Sequence, residues 1–402
     1  MTSVAVLSLH TSPLALPGVG DSGGMNVYVR ELAGGLGRAG VDVRVYTRRW
    51  ADDLPDRVVV EPGVEVVHVA AGEAELAKED LPPVVDAFAD GVAADLGQRP
   101  VDVLHANYWL SAVAGHALKH RLDLPLVSTF HTLARVKADS GDPEPAARVA
   151  AETEVIGCCD TICASNTVEA AQLVELYGAD PTRIEIVPPG VDRAFFSPGD
   201  RTGARRALGL EDRPTVLFVG RIQPLKGPVI AVEALAAMRE RDTQLIVVGG
   251  PSGADGAQEW RRLQAAVDRH GLRDRVRFVD AQPHHVLSTY YRSADVVLVP
   301  SRSESFGLVA LEAAACGRPV VGAAVGGLRT LVEHGHTGYL VEGREPAAFA
   351  ARLDDLVAHP ARAEHMGRAA AELAAGFSWS TTSARLRRLY ADLALRTPTR
   401  CA

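Results

Sequence analysis

TVLFVGRIQPLKGPVIAVEALAAMR, residues 215–239, decides the fold. Its first six residues are continuously apolar, as a strand buried on both faces must be. GRIQPLKG (220–227) then brings glycine, proline and two cations without any period, and reads as a loop. From Pro228 to Arg239 the pattern turns amphipathic, with proline at the first helical position. Strand, loop and helix in that order are half of a βαβ unit, and a parallel sheet is built from such units.

The same alternation extends in both directions. Upstream, VAVLSL (4–9), VDVRVY (41–46), VDVLHA (101–106), LPLVSTF (124–130) and IEIVPP (184–189) read as strands. Downstream, TQLIVVGG (243–250), RVRFVD (275–280), DVVLVP (295–300) and RPVVGA (318–323) continue the second series. Amphipathic stretches such as Met25–Arg38, Asp86–Leu96 and Glu169–Tyr177 lie between them and predict covering helices. The alternation pauses at VPPGVDRAFFSPGDR (187–201), which is punctuated by Pro and Gly and reads as a hinge. Two doubly wound domains follow, residues 1–190 and 191–378, with a terminal segment 379–402. The amphipathic stretch from Trp379 follows a break at Gly376–Ser378 and precedes no strand. It either caps the second domain or crosses back to the first.

Composition narrows the classes. At about 150 residues per domain, 402 residues make two or three domains. Forty-two Lys and Arg against 50 Asp and Glu give a net charge of −8, which disfavours nucleic acid as a partner. No apolar run approaches the ~18 residues of a membrane span. MTSVAVLSLH lacks a basic leader and reads as a buried strand, so the chain is expected to be cytoplasmic. The five cysteines, with Cys158 and Cys159 adjacent and Cys401 penultimate, suggest no zinc or disulfide framework.

Ligands of doubly wound sheets bind where strands end and helices begin, and three such loops stand out. HTSPLALPGVGDSGGMN (10–26) is long and carries Gly18, Gly20, Gly23 and Gly24 ahead of a helix whose amides suit an anion. Its GDSGGMN is not the dinucleotide spacing GxGxxG, and no acidic residue closes VDVRVYTRR to hold a ribose, so a nicotinamide oxidoreductase is disfavoured. GRIQPLKG places Arg221 and Lys226 between a buried strand and a helix, a cradle for a diphosphate, with GGPSG (249–253) able to add amides. PSRSESFGLVALEAAACG (300–317) holds Glu304 in a loop and Glu312 inside the next helix among apolar neighbours. A buried carboxylate needs partners, and sugar or ribose hydroxyls would supply them. A diphosphate cradle beside two carboxylates fits a nucleotide-diphosphate sugar.

These loops resemble those of the retaining GT-B glycosyltransferases of family 4, whose donor signatures match VGRIQPLKG and the Glu-x7-Glu pair ESFGLVALE (304–312). The resemblance spans essentially the whole chain and implies an α/β GT-B fold, two Rossmann-like domains facing a central cleft. In the first half LHTSPLALPGVGDSGGMNVYV, HANYWLS, FHTLARVK and YGADP resemble the branch that glycosylates inositol 3-phosphate. That branch implies transfer of N-acetylglucosamine from UDP-GlcNAc to 1D-myo-inositol 3-phosphate, the first step of mycothiol biosynthesis, by a homodimer. The matching acceptor-phosphate residues are Lys78, Tyr108, Thr132 and Arg148. His10 and the loop residues Asp21, Ser22, Gly23, Gly24, Met25 and Asn26 would meet the cyclitol. On the donor side Pro17, Gly24, Arg221 and Lys226 would line the sugar diphosphate, the main chain near Gln282 the uracil, Glu304 the transferred sugar and Glu312 the ribose.

Retention without a protein nucleophile implies front-face attack, the donor β-phosphate oxygen assisting removal of the acceptor proton. Arg221 and Lys226 would then stabilise the departing UDP, and Glu304 with the main chain of His131 the oxocarbenium-like sugar. The resemblance requires no cofactor for the chemistry. It leaves open a magnesium ion at Tyr291, Arg292 and Ala294, where Arg318 replaces the family's usual Thr. Leu16 likewise replaces a usual Gln beside Pro17. The alternative function is that of a paralogous family 4 transferase using another UDP- or GDP-sugar and another phosphorylated or lipid acceptor, as sucrose-phosphate synthases do. Met25–Arg38 offers only Arg30 and Arg38 for a lipid surface, and the intact Arg221, Lys226, Glu304 and Glu312 disfavour a non-catalytic sensor.

Overall fold

Val4, Ala5, Val6 and Leu7 are all completely buried, because β1 (Ser3–Leu7) has a strand on each edge and helices on both faces. The computed structural model describes residues 2–18, 22–142, 144–253 and 255–401. It divides into two units. The first comprises Met1–Ala15, Gly24–Pro189 and Trp379–Ala402; the second comprises Leu16–Gly23 and Gly190–Ser378. Neither unit is continuous in sequence.

In the first unit β1 is followed by β2 (Asp42–Arg48), β3 (Arg57–Glu61), β4 (Val64–Val69), β5 (Val103–Asn107), β6 (Leu126–Thr129), β7 (Thr161–Ala164) and β8 (Ile184–Ile186). They form one sheet in the order β3-β4-β2-β1-β5-β6-β7-β8. Every pairing is parallel except β3 with β4. The sequence reading of a parallel sheet is corrected at this edge. Only Pro62 and Gly63 separate the two strands, far too few for a crossover, and Gly63 at φ +80° makes the tight turn.

The second unit holds β9 (Thr215–Val219), β10 (Gln244–Val248), β11 (Val276–Val279), β12 (Val296–Val299), β13 (Val320–Ala323) and β14 (Gly338–Val341). Its sheet is wholly parallel, in the order β11-β10-β9-β12-β13-β14. In both units strand order reverses beside the first strand of the sheet, at β1/β5 and at β9/β12. Those are the switch points beyond which doubly wound sheets bind ligands.

The helix Trp379–Leu393 packs in the first unit. Trp379, Leu386, Tyr390 and Leu393 are buried in one cluster with Val4, Val6, Tyr28 and Leu36. The Tyr390 hydroxyl lies 2.5 Å from His105 Nδ1, and Thr382 donates to the Pro188 carbonyl at 2.7 Å. Cys158 and Cys401 are disulfide-bonded, which corrects the expectation of no cysteine framework. The two lie 243 residues apart, and only the return of the chain after this helix brings them together. No helix among the described residues is long and apolar enough to cross a membrane.

Candidate active site

At the first switch point, β1 leads to His10 and β5 leads to Tyr108. The two rings stack at 4.4 Å, tilted by 43°. Tyr108 adopts φ +75°, a conformation that costs a non-glycine residue on the order of 1–3 kcal/mol. Its amide donates to the Thr129 carbonyl and it opens the helix Trp109–Leu122, so the strain is held by the end of the sheet.

Two of the other three predicted phosphate residues, Lys78 and Arg148, lie over that ring, and the third, Thr132, is bonded to Arg148. Lys78 Nζ lies 4.7 Å and Arg148 Cζ 5.0 Å from the ring centroid. Arg148, 2% exposed, donates to the Tyr108 hydroxyl at 3.2 Å and to the Thr132 carbonyl and hydroxyl at 3.0 and 3.1 Å. Burying a guanidinium requires counter-charge. Glu152 accepts from Nε at 2.8 Å, and Glu144 pairs with Nη1 at 3.0 Å. Glu144 and Glu152 escaped the sequence reading; Glu152 lies one turn after Arg148 on the same helical face, whereas Glu144 precedes the helix Ala146–Cys158. Arg148 is therefore fully engaged by the protein, whereas Lys78 has no ion pair among the described residues.

His131 follows β6 at φ +63°, also left-handed. Its Nε2 lies 2.9 Å from Asn107 Oδ1 and its ring meets the edge of Tyr28 at 4.8 Å. Burial of the ring, with His105 nearby, lowers its pKa to about 3. The imidazole is neutral at pH 7 and a poor base.

The glycine-rich loop divides between the units. Asn26 is buried and spends its amide on Thr11 Oγ1 and the Ser12 carbonyl, both at 2.6 Å. This side chain, expected among the cyclitol contacts, fastens the loop after β1 to the start of the helix Gly24–Arg38. Met25 is half-buried against the apolar core, and Gly24 is exposed at the helix start. Ser22 is buried and its carbonyl accepts from Gly18 at 2.8 Å. Gly18 adopts φ +92°, and a Cβ there would come within 3.0 Å of the Ala281 Cβ. A Cβ on Gly23 would lie 3.2 Å from Arg221 Nε. Pro17, Gly18, Ser22 and Gly23 thus belong with the second unit. Asp21 lies outside the described residues.

At the second switch point the loops after β9 and β10 are stitched together. Ile222 pairs with Pro251, and Gly249 at φ +140° admits no side chain because a Cβ would strike the Gly220 carbonyl. Arg221 lies 3.5 Å from Ser252 Oγ, and Gln223 donates to the same hydroxyl and to its carbonyl at 3.2 Å. Lys226 ends a 3-10 turn before Gly227 and the helix Pro228–Ala237. Its ammonium pairs with Glu304 at 2.7 Å, and Ser301 also donates to Glu304, at 3.2 Å. Ser252, Gln223 and Ser301 carried no signal in the sequence beyond their place in these loops. Gln282, beyond β11, donates to the Asp280 carbonyl at 3.0 Å.

Glu312, 6% exposed in the helix Leu308–Ala315, is partnered by the protein itself. His284 Nε2 and the Tyr291 hydroxyl each lie 2.7 Å from one of its oxygens. Burial and Glu312 raise the Tyr291 pKa well above its ordinary value, so the phenol stays a donor. Helix His284–Ser293 thus supplies two protein partners, beside the ligand hydroxyls expected for this carboxylate.

The donors near Tyr291, Arg292 and Ala294 do not suit a magnesium ion, a hard cation that needs octahedral oxygens. The Ala294 amide donates to the Tyr291 carbonyl, and the Arg292 guanidinium binds the Ser197 and Phe195 carbonyls. Arg201 and Arg205 hold Asp295 at 2.6 Å, and half-buried Arg318 adds a third guanidinium to that field. Arg205 also pairs with Asp212 at 2.9 Å, so three guanidiniums face two carboxylates and their surplus charge disfavours a further cation.

Two family models divide the chain. Residues 22–195 match Glycosyltransferase Family 4 and residues 200–373 match Glycosyl transferases group 1. The chain is 49% identical over 394 residues to a D-inositol 3-phosphate glycosyltransferase of Geodermatophilus obscurus, covering 94% of this chain and 87% of that one. A counterpart from Actinosynnema mirum is 48% identical, with 97% of each chain covered. Among solved structures, sucrose-phosphate synthase from Thermosynechococcus elongatus superposes with a TM-score of 0.93 at 32% identity, covering 98% of this chain and 99% of that one. Sequence and fold agree, and the chain belongs to glycosyltransferase family 4: it is a glycosyltransferase of the GT-B class.

Proposed function

We propose that the enzyme transfers N-acetylglucosamine from UDP-GlcNAc to 1D-myo-inositol 3-phosphate with retention, opening mycothiol biosynthesis. The observation that carries this reading is the gathering of Lys78 and Arg148 over the strained Tyr108 ring, with the Thr132 hydroxyl bonded to Arg148. An acceptor phosphate docks on the Lys78 ammonium and the Thr132 hydroxyl, with Arg148 fixing both that hydroxyl and the phenol. His10 and the main chain of Ser22–Met25 meet cyclitol hydroxyls.

On the donor side Arg221 and Lys226 hold the diphosphate and stabilise the charge that grows on it as the anomeric C–O bond breaks. Glu304, released from part of its pairing with Lys226, meets the sugar. Gln282 backbone groups meet the uracil, and Glu312, already braced by His284 and Tyr291, receives the ribose on its remaining lone pairs. The acceptor hydroxyl attacks the same face, its oxygen forms the new bond to the anomeric carbon, and its proton passes to the departing phosphate oxygen. A neutral His131 of low basicity supports a main-chain rather than a general-base role for that residue. The reading includes a homodimer in the cytoplasm and requires no metal.

The alternative, a sucrose-phosphate-synthase-like transferase, draws support from the TM-score of 0.93. UDP release in a matrix of UDP-GlcNAc, UDP-glucose and GDP-mannose against inositol 3-phosphate, inositol 1-phosphate and fructose 6-phosphate separates the two. Turnover confined to UDP-GlcNAc with inositol 3-phosphate is expected. Turnover with fructose 6-phosphate instead overturns the reading.

A further inference from the structure

His116 and His120 lie one turn apart on the helix Trp109–Leu122, so both imidazoles project from one face. Cys158 ends the neighbouring helix Ala146–Cys158, and Cys401 arrives on the segment that follows the terminal helix. The ligating atoms of all four lie within 4.8 Å of one another. The two Nε2 atoms are 3.0 Å apart. Cys158 Sγ lies 3.5 Å from His120 Nε2, and Cys401 Sγ lies 3.6 Å from His116 Nε2 and 3.1 Å from His120 Nε2.

We propose that in its dithiol state this cluster is a tetrahedral zinc site that fastens the end of the chain to the first unit. Two nitrogens and two sulfurs are the donor set of structural zinc, and bonds of about 2.0 Å to nitrogen and about 2.3 Å to sulfur place such donors roughly 3.3–3.8 Å apart. The nitrogen–nitrogen and nitrogen–sulfur separations, 3.0 to 3.6 Å, approach that scale, and the two sulfurs, bonded to each other here, part to reach it once reduced. A disulfide alone gives the two imidazoles nothing to do, and its formation accounts for the cysteines but not for the histidines converging on them. The site also has an outer shell. Glu154 Oε1 lies 3.7 Å from His116 Nδ1, the ring nitrogen that does not face the cluster, where a carboxylate orients a metal-bound histidine. The approach of the tail does not depend on sulfur chemistry, because the Thr399 amide donates to Asp160 Oδ1 and Asp160 in turn pairs with Lys119.

Binding is balanced without an oxidant: Zn²⁺ displaces two thiol protons and two thiolates remain as ligands. The disulfide is the two-electron oxidised, metal-free form, and a thiol reductant returns it to the dithiol while itself becoming a disulfide. Thiol–disulfide exchange with a disulfide oxidant, which is itself reduced to two thiols, closes the Cys158–Cys401 bond and expels the ion. Nothing in this inference depends on the identity of the sugar or the acceptor.

The test uses the full chain, reduced, stripped of metal and held anaerobic. Titration with Zn²⁺ is expected to show one equivalent bound and a thermal midpoint raised by several degrees, and Co²⁺ to give thiolate charge-transfer absorption in the near ultraviolet. Cys401→Ser lies in the tail and leaves the core intact; it and His120→Ala should lose the stoichiometric site, while His336→Ala, exposed and remote, should keep it. No stoichiometric binding by the reduced chain overturns the proposal, as does binding that survives both cluster substitutions.

Discussion

The Lys226 ammonium and the Glu304 carboxylate form an ion pair of 2.7 Å across the loops that follow β9 and β12. On the proposed reading the cation for a leaving diphosphate is held by the carboxylate for the sugar, so donor binding must exchange one partner for another. Lys226→Ala is expected to lower kcat by about 10²–10³-fold, the range for removing one preorganised charge from a transition state. Because the pair is a unit, Lys226→Ala combined with Glu304→Gln should cost less than the sum of the single losses. Additive losses in steady-state kinetics would reject the coupling.

Lys78 and Arg148 should respond differently to truncation. Lys78→Ala removes a half-buried charge that no carboxylate claims, and should raise the acceptor KM by roughly 10–100-fold, the value of a charge-assisted hydrogen bond, with little change in stability. Arg148→Ala strands Glu152 beneath the surface and should cost about 3–5 kcal/mol of folding stability. Urea melts beside acceptor titrations separate the two outcomes.

Acid should unfold the first unit through its neutral histidines. Burial lowers the pKa of His105 and of His131 to about 3, against 6.5 for a free imidazole. A depressed histidine pKa means that between pH 3 and 6.5 the unfolded chain binds protons the native chain refuses. Stability is therefore complete above pH 6.5 and falls as pH drops toward 3, by up to about 1.4 kcal/mol per pH unit for each residue. Denaturant midpoints measured from pH 7.5 to 4.5 should show this slope, and His105→Gln should make it shallower. Activity should show no inflection assignable to His131 between pH 6 and 8.

On the proposed reading Glu312 both braces the second unit and receives the ribose. Tyr291→Phe leaves one oxygen of a buried carboxylate without its donor and should destabilise by about 1–3 kcal/mol. The donor KM should rise with it, and the acceptor KM should not. An equal rise in both would place Glu312 outside the donor site.

Much of this was accessible before the structure. The four residues that the resemblance assigns to an acceptor phosphate come from motifs far apart in sequence, yet β5, β6 and the helix Ala146–Cys158 bring Tyr108, Thr132 and Arg148 into one hydrogen-bonded group. Continuous apolar runs marked the buried strands because burial on both faces leaves no alternation to read. The hairpin β3–β4 was lost for the complementary reason: it is an edge, with Val59 exposed and charges at Arg57 and Glu61, so its pattern is weak. The partners of Glu312 were illegible, since His284 and Tyr291 lie on a different helix and nothing local ties them to residue 312. The Cys158–Cys401 contact required knowing where the last helix docks.

That docking sets the order in which the molecule can be completed. Helix Trp379–Leu393 contributes Trp379, Leu386 and Tyr390 to the core of the unit that begins the chain, yet it is synthesised after the whole of the other unit. During translation β1 to β8 wait with one apolar face uncovered while nearly two hundred further residues emerge. The unit made first is thus the last to finish, and its exposed face is the surface that chaperones would hold and that premature termination would leave open to aggregation.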